Sequence, residues 1–173
     1  KARRAKWAII RKELHDCLGL CNWMGPWVAS PLKERGYRGD NSLESRFYSL
    51  ATGRDLDREG LDRAGERVFT LHRALTIRDM GTAAMRAKHD LIPRWVFEDP
   101  KGAQPFTPGT IRMDRDDMAL AMGMFYESLG WDTATGAPTR EAYERLGLPD
   151  VAKKLGESGL LPGNAADTAK DKK

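Results

Sequence analysis

The 173-residue sequence predicts an all-α fold with long loops rich in glycine and proline. Apolar residues recur at spacings of three and four in several segments, which is the pattern of helices that pack on one side. No segment shows the alternation of apolar and polar residues that is typical of a half-buried strand. No apolar run approaches the roughly 18 residues that a membrane-spanning helix requires.

The first predicted helix, residues 2–18, has an apolar stripe along one side. Gly19 is its expected end, because helices commonly stop where a glycine adopts a left-handed conformation. A loop rich in glycine and proline follows over residues 22–40 and contains Trp23 and Trp27. Loops of this length are often functional, and these two side chains are expected either to anchor the loop or to line a channel.

Two helices are predicted next. Asn41 and Glu44 have the spacing of a capping box, in which each side chain satisfies a backbone amide at a helix start. They predict a short helix that Gly53 ends. Asp57 is the expected N-cap of the longest helix, residues 58–80, whose apolar stripe suits packing against another helix and which two internal glycines weaken slightly.

The third quarter of the chain combines a loop with a helix. Residues 81–113 contain four prolines and are expected to be mostly irregular, with one helical turn over residues 82–90. A helix is predicted from Asp114 to Leu129. The sequence GWDTATGAP, residues 130–138, predicts a turn.

The C-terminal part is predicted to hold two short helices and a tail. Thr139 caps the first of these helices and Gly147 closes it, while the second begins at Pro149, which suits a first-turn position. Residues 1–161 are therefore interpreted as one helical domain. Residues 162–173 are polar and rich in lysine, which predicts a disordered tail.

The net charge of +4 is concentrated at the N-terminus. Six of the 29 basic residues lie in residues 1–12, which hold no acidic residue, so the remainder has 23 basic against 25 acidic residues. A nucleic-acid-binding protein spreads its positive charge over a face of the fold, so this block is interpreted as a solvated helix start. Two cysteines do not make a disulfide framework and no secretion signal is visible, so a cytoplasmic protein is expected.

The stretch HDCLGLC combines residue types that can hold a ring and a metal centre side by side. The carboxylate of Asp16 can accept two parallel hydrogen bonds from an amidine-like N–H edge, such as that of a guanidinium or pterin ring. Gly19 lets a flat ligand approach the backbone, and Leu18 and Leu20 can wall the site. Cys21, as a thiolate, can bind iron in a cluster.

Residues 16–21, DCLGLC, match the D-x-x-G-L-C motif of the tungsten-containing aldehyde ferredoxin oxidoreductase family. Residues 47–81 resemble the family's segment in which an LATG helix end leads into a long helix. Residues 122–148 resemble its closing segment, in which G-W-D and P-T separate two helices. The chain therefore resembles the C-terminal helical domain of these enzymes.

The resemblance implies which residues bind cofactors. Asp16, Leu18, Gly19 and Leu20 would contact one pterin of a tungsten (or molybdenum) bis-pyranopterin, and Cys21 would be the last ligand of a [4Fe–4S] cluster. Cys17 occupies a variable motif position and is expected to be structural.

Two further implications concern residues outside the motif. Arg78 would contact a cofactor phosphate or pterin edge, since its guanidinium presents a fork of donors, or else form a surface ion pair. The N-x-R-E-G of many family members reads TIRDMG here, residues 76–81. No catalytic side chain is identified.

The reaction implied by the resemblance is oxidation of an aldehyde to a carboxylate, with electrons passing to ferredoxin or a partner subunit. The alternative within the same scaffold is a tungsten-dependent aromatic acyl-CoA reductase of the benzoyl-CoA type. A non-enzymatic alternative is a helical protein-interaction module whose basic N-terminus binds an acidic partner.

The family's N-terminal pterin-binding part and its C-x-x-C-x-x-x-C cysteines are not found in this sequence. Because two cysteines cannot supply four cluster ligands, this chain alone is not expected to hold the complete cofactor. It is expected to be one subunit of a split enzyme or one segment of a longer chain, with the remainder of the enzyme as its partner.

Overall fold

The computed structural model describes residues 1–21, 29–98 and 114–163. These residues form helices and two isolated β-bridges but no strand, which confirms the all-α prediction. The helices are α1 (Ala2–Leu18), α2 (Leu43–Thr52), α3 (Arg58–Met80), α4 (Met85–Lys88), α5 (Trp95–Glu98), α6 (Arg115–Leu129), α7 (Arg140–Arg145) and α8 (Pro149–Glu157). Within the described ranges, no helix is long and apolar enough to cross a membrane.

Most of the predicted helix starts are confirmed by side-chain caps. Asp57 Oδ1 accepts the backbone N–H of Gly60 at 2.7 Å, at the start of α3. Asp114 accepts the N–H groups of the second and third residues of α6, at 2.8 and 3.0 Å. Thr139 Oγ1 accepts the N–H of Ala142 at 3.2 Å, at the start of α7. Each cap satisfies an amide that has no partner inside its helix.

The predicted capping box at the start of α2 is wrong. Ser42 is the N-cap residue, with a helical conformation and no side-chain cap, and its N–H donates to Asp40 Oδ1 at 2.9 Å. Glu44 is fully buried and points to α1 instead of back to the helix start. A buried cation therefore outcompetes the local capping interaction for this carboxylate.

The chain divides into two compact units. Residues 7–72, called here the motif unit, contain the D-x-x-G-L-C motif. Its apolar core consists of Ile10, Leu14 and Leu61, with the half-buried side chains of Leu18, Tyr48 and Leu56 packed against it. The other unit, called here the C-terminal unit, consists of residues 1–6 and 73–173.

Gly65 allows α1 and α3 to approach each other closely within the motif unit. A Cβ at this position would lie 2.7 Å from Leu14 Cγ and 3.0 Å from the carbonyl oxygen of Ile10. Both distances are well below van der Waals contact, so only glycine fits. Gly65 is therefore required for the packing of α1 against α3, although it slightly lowers the helix propensity of α3.

In the C-terminal unit, side chains satisfy the last carbonyls of α6. Lys6 Nζ donates to the carbonyl of Ser128 at 2.8 Å, and Arg145 Nη2 donates to that of Leu129 at 3.1 Å. Cations at this end of a helix also interact favourably with its dipole. One lysine of the basic N-terminal block is thus a structural ligand of α6.

The predicted turn over residues 130–138 is confirmed and is tightly built. Asp132 Oδ1 accepts the backbone N–H of Thr135 at 2.7 Å, and its own N–H donates to the carbonyl of Ala137 at 2.9 Å. Gly136 has a φ of +71°, and a Cβ there would lie 2.9 Å from Tyr126 Cζ. The turn therefore requires glycine for both conformation and space.

Some sequence predictions fall outside the described residues. These are Trp23 and Trp27, the proline-rich segment over residues 99–113, and the predicted tail beyond residue 163. Within residues 81–98 the expected single helical turn is present as α4, and α5 is a second turn that the sequence pattern did not predict.

Candidate functional site

The D-x-x-G-L-C motif forms the end of α1 and the turn that follows it. Gly19 has a φ of +66°, the N–H of Leu20 donates to the carbonyl of His15 at 2.8 Å, and the N–H of Gly19 donates to that of Asp16 at 3.4 Å. This pair of hydrogen bonds is the Schellman motif, which turns the chain away from a helix. The spacing of the motif therefore sets a backbone geometry as well as a set of side chains.

The polar side chains of the motif face outward. Asp16, Cys17, Gly19 and Cys21 are all exposed, and both cysteines are free thiols. A Cβ built on Gly19 would meet no atom within 4 Å, so this surface of the turn is open. The carboxylate, the open backbone and the second thiol are thus presented on one short turn.

Asp16 lies in the last turn of α1, where the helix dipole disfavours negative charge. Its Oδ2 lies 2.6 Å from Lys12 Nζ, and both side chains are more than half exposed. An exposed pair four residues apart on a helix contributes little to stability. The carboxylate is therefore able to exchange this partner for a ligand at small cost.

The two leucines of the motif are half-buried. Leu18 packs against the Ile10, Leu14 and Leu61 core, so it anchors the end of α1 to the rest of the motif unit. Leu20 is also half-buried. Their predicted contact with a ligand stays a prediction, while the packing of Leu18 is observed.

Beneath the motif lies a buried network of charged side chains that the sequence analysis did not predict. Arg11 Nη1 lies 3.3 Å from Glu44 Oε2, and Arg11 Nη2 lies 2.9 Å from Asp62 Oδ1. His15 Nε2 lies 3.3 Å from Glu44 Oε1. Arg11, His15 and Glu44 are each at most 1% exposed. The network joins α1, α2 and α3.

Within this network, burial and the neighbouring positive charge have opposite effects on the pKa of a carboxyl group. Burial raises the pKa of Asp62, and the neighbouring Arg11 guanidinium opposes that rise.

The sequence contains an ambiguous signal for this network. Arg11 and His15 lie four residues apart on the apolar side of α1, next to Leu14. Such a position is compatible with a buried charge only if a partner is found elsewhere in the chain, and periodicity does not identify that partner.

Arg78 lies in the C-terminal unit, whereas the motif lies in the motif unit. It is in the last turn of α3, is exposed, and donates from Nε and Nη2 to Asp79 Oδ1 at 2.9 and 2.8 Å. Of the two roles predicted for Arg78, a cofactor contact or a surface ion pair, the ion pair is therefore observed. Its role toward a cofactor stays a prediction.

A second polar cluster centres on Asp90 in the C-terminal unit. Arg73 holds both carboxylate oxygens of Asp90, Tyr126 OH donates to Oδ2 at 2.7 Å, and His89 Nδ1 lies 2.7 Å from Oδ1. The guanidinium of Arg73 also stacks over Trp131, 4.9 Å from the ring centroid. Burial disfavours the charged form of Asp90, but the surrounding hydrogen bonds outweigh it and lower its pKa.

Neither cluster is a complete metal site. Across residues 1–21, 29–98 and 114–163, no group of three His, Cys, Asp or Glu side chains is arranged to hold a metal ion. The exposed thiol of Cys21 can supply one ligand, and any metal centre bound there needs further ligands from outside these residues.

Comparison with known proteins identifies one family. Residues 1–148 match the family model described as aldehyde ferredoxin oxidoreductase, domains 2 and 3. No solved structure matches the chain.

Proposed function

Because the chain belongs to the aldehyde ferredoxin oxidoreductase family, we propose that it is the C-terminal part of a tungsten enzyme that oxidises aldehydes to carboxylates. At the level of the family, it is part of an oxidoreductase of the tungsten/molybdopterin type. The matched model describes domains 2 and 3, which implies that the remainder of the enzyme is its partner. The observation that carries the proposal is the exposure of Asp16, Gly19 and Cys21 on one turn.

When bound, the tungsten (or molybdenum) bis-pyranopterin supplies two-electron chemistry at the substrate carbon, and the [4Fe–4S] cluster accepts the electrons one at a time. The chain's own residues bind and orient these groups. The two side chains on the turn suit these cofactors: the carboxylate can accept hydrogen bonds from a pterin, and the thiol can supply one ligand of the cluster.

Asp16 is proposed to accept hydrogen bonds from the N–H edge of one pterin. Two features support this role: the side chain of Asp16 is more than half exposed, and its ion pair with Lys12 is a surface pair that a ligand can replace. Gly19 would let the ring lie against the backbone, since no atom occupies the space where a Cβ would stand. Leu18 and Leu20 would form the apolar wall beside it.

Cys21 is proposed to ligate the cluster through its thiolate. Its side chain is exposed and free, as a ligand shared with another part of the enzyme must be. The other three cluster ligands would come from the remainder of the enzyme. Arg78 is proposed to donate to a phosphate of the cofactor, in exchange for its exposed ion pair with Asp79.

The electron acceptor is proposed to be ferredoxin or an electron-transfer subunit, in the cytoplasm. Free, exposed thiols suit a reducing compartment, in which disulfides are rare.

The complete enzyme, assayed under anaerobic conditions with a set of aldehydes and ferredoxin, is expected to reduce ferredoxin only when an aldehyde is present. Benzoyl-CoA with a low-potential reductant is tested in parallel, since an aromatic acyl-CoA reductase is the alternative reaction on this scaffold. Turnover of the thioester without turnover of any aldehyde would overturn the proposed reaction. A preparation with no tungsten, molybdenum or pterin would overturn the whole proposal.

A further inference from the structure

We infer that His15 and Glu44 are positioning residues that fix the turn carrying Asp16 and Cys21. The inference rests on the proposed function, because it concerns the same turn. Neither side chain is expected to contact a cofactor, since His15 and Glu44 are fully buried.

His15 is tied to the turn in two ways. Its carbonyl oxygen accepts the N–H of Leu20 at 2.8 Å, which is the longer-range hydrogen bond of the Schellman motif. Its side chain points inward, where Nε2 lies 3.3 Å from Glu44 Oε1. The same residue therefore contributes its side chain to the buried network and its carbonyl oxygen to the turn, so the contact of the imidazole restrains the backbone between Asp16 and Cys21.

Glu44 is itself held by a second side chain of α1, Arg11, which also pairs with α3. Its Oε2 lies 3.3 Å from Arg11 Nη1 on α1, and Arg11 Nη2 lies 2.9 Å from Asp62 Oδ1 on α3. Glu44 stands in the first turn of α2. The imidazole thus rests against a carboxylate whose own position is fixed by the packing of α1, α2 and α3.

Stability alone does not account for this arrangement. Buried ion pairs are often no more stabilising than apolar residues of the same volume, because desolvation of the charges opposes their attraction. The apolar contacts of Ile10, Leu14 and Leu61 stabilise the same helices but are not directional. The hydrogen bond between His15 and Glu44 is directional, and the ion pairs of Arg11 hold Glu44 between α1 and α3, so together these contacts restrict the position of the end of α1.

Under the proposed function, His15 and Glu44 would act as outer-shell residues, which orient a metal ligand without touching the metal. Residues that orient metal ligands without touching the metal typically change metal affinity about 10- to 100-fold when they are replaced. Here the orientation would act through the backbone of the turn, from His15 to Leu20 and hence to Cys21.

The test compares variants in the complete enzyme. His15→Leu removes the contact with Glu44, whereas His15→Gln keeps a donor close to the position of Nε2. His72→Gln is the matched control, because His72 pairs with Glu13 at 2.9 Å in the same unit but is exposed. Leu155→Ala is the control for lost stability, because Leu155 is buried in the C-terminal unit and belongs neither to the network nor to the core on which Leu18 packs.

Two properties are measured for each variant: the rate at which iron is lost to a chelator, and the electron paramagnetic resonance spectrum of the reduced cluster. His15→Leu is expected to lose iron about tenfold faster than the unmodified enzyme and to change the spectrum. His15→Gln and His72→Gln are expected to keep both properties unchanged. Leu155→Ala is expected to lower the unfolding temperature and to leave the spectrum unchanged.

The inference is overturned if His15→Leu loses iron at the rate of His72→Gln, or if Leu155→Ala, at equal loss of stability, changes the spectrum as much as His15→Leu does. If His15→Leu does not accumulate, the comparison rests on His15→Gln against His15→Asn, whose shorter side chain does not reach Glu44; equal spectra would then overturn it. An unmodified enzyme without iron refutes the proposed function itself, a result that is separate from these.

Discussion

Asp90 shows how a single residue organises the C-terminal unit. Its carboxylate accepts from Arg73 and Tyr126 and lies 2.7 Å from His89 Nδ1, and only 17% of the side chain is exposed. Burial and the hydrogen bond to Asp90 raise the pKa of Tyr126, so this phenol stays protonated through the neutral range. At neutral pH Asp90 is therefore ionised and Tyr126 is neutral.

Asp90→Asn is expected to lower the free energy of unfolding by about 2 kcal/mol at pH 7, because it leaves the buried guanidinium of Arg73 without its countercharge. The pKa of Asp90 is lower in the folded state than its usual 3.8, so the stabilisation is present above that value and is lost as the pH falls through the folded pKa. Denaturant unfolding of both proteins between pH 7 and pH 2 measures this, and the two curves should converge at the acidic end.

The matched control for this prediction is Asp79→Asn in the same unit. Asp79 pairs with Arg78 on the surface, where both side chains are 65% exposed, so its replacement should change stability very little. Equal effects of the two substitutions at pH 7 would refute the role given to Asp90.

Individual residues were predictable from the sequence only where their role is local. Asp57 and Thr139 cap helices because the acceptor and the amide lie three residues apart. Glu44 also has the spacing of a capping residue, but its carboxylate forms an ion pair with Arg11, 33 positions earlier in the chain. A sequence pattern contains no information on a partner at that distance.

At the scale of elements, the approach of α1 to α3 depends on Gly65 in the motif unit. A Cβ at this position would overlap Leu14 Cγ and the backbone carbonyl of Ile10. Backbone atoms cannot move aside as the end of a flexible side chain can, so the helices would have to separate.

Gly65→Ala is expected to lower the free energy of unfolding by about 1–2 kcal/mol, because overpacking outweighs the gain in helix propensity. Gly123→Ala is the matched control within α6, since the nearest atom to its Cβ would be Arg86 Nη1 at 3.7 Å. This second substitution should be neutral or stabilising by up to about 1 kcal/mol. Denaturant unfolding distinguishes the two, and a gain of stability at position 65 would contradict the packing described.

The extents of α1 and α3 were predicted from apolar periodicity, from Gly19 at the end of α1 and from the Asp57 cap of α3, and both agree with the structure. Gly19 has a φ of +66°, so this stop signal is a local backbone preference that the sequence contains directly. The short helix α5 was missed because four residues are too few to show a period.

At the scale of the whole molecule, the chain is proposed to supply some of the residues that bind the cofactors, and the rest of the enzyme the others. The motif predicted from the sequence forms an exposed turn. The buried network beneath that turn, which includes the Arg11–Glu44 ion pair, is visible only in the folded structure. The family match over residues 1–148 establishes membership, and the remaining cluster ligands are expected from the rest of the enzyme. The roles of Asp16 and Cys21 are therefore best tested in the complete enzyme.

The central claim is that Cys21 is a ligand of the iron–sulfur cluster and Cys17 is not. Both thiols are free and exposed and lie four positions apart, so each is the natural control for the other. The most direct measurement is iron per enzyme, with the spectrum of the reduced cluster, in Cys21→Ser and Cys17→Ser. Loss of the cluster in Cys21→Ser alone is the expected result; an intact cluster in Cys21→Ser, or equal loss in both variants, would contradict the account.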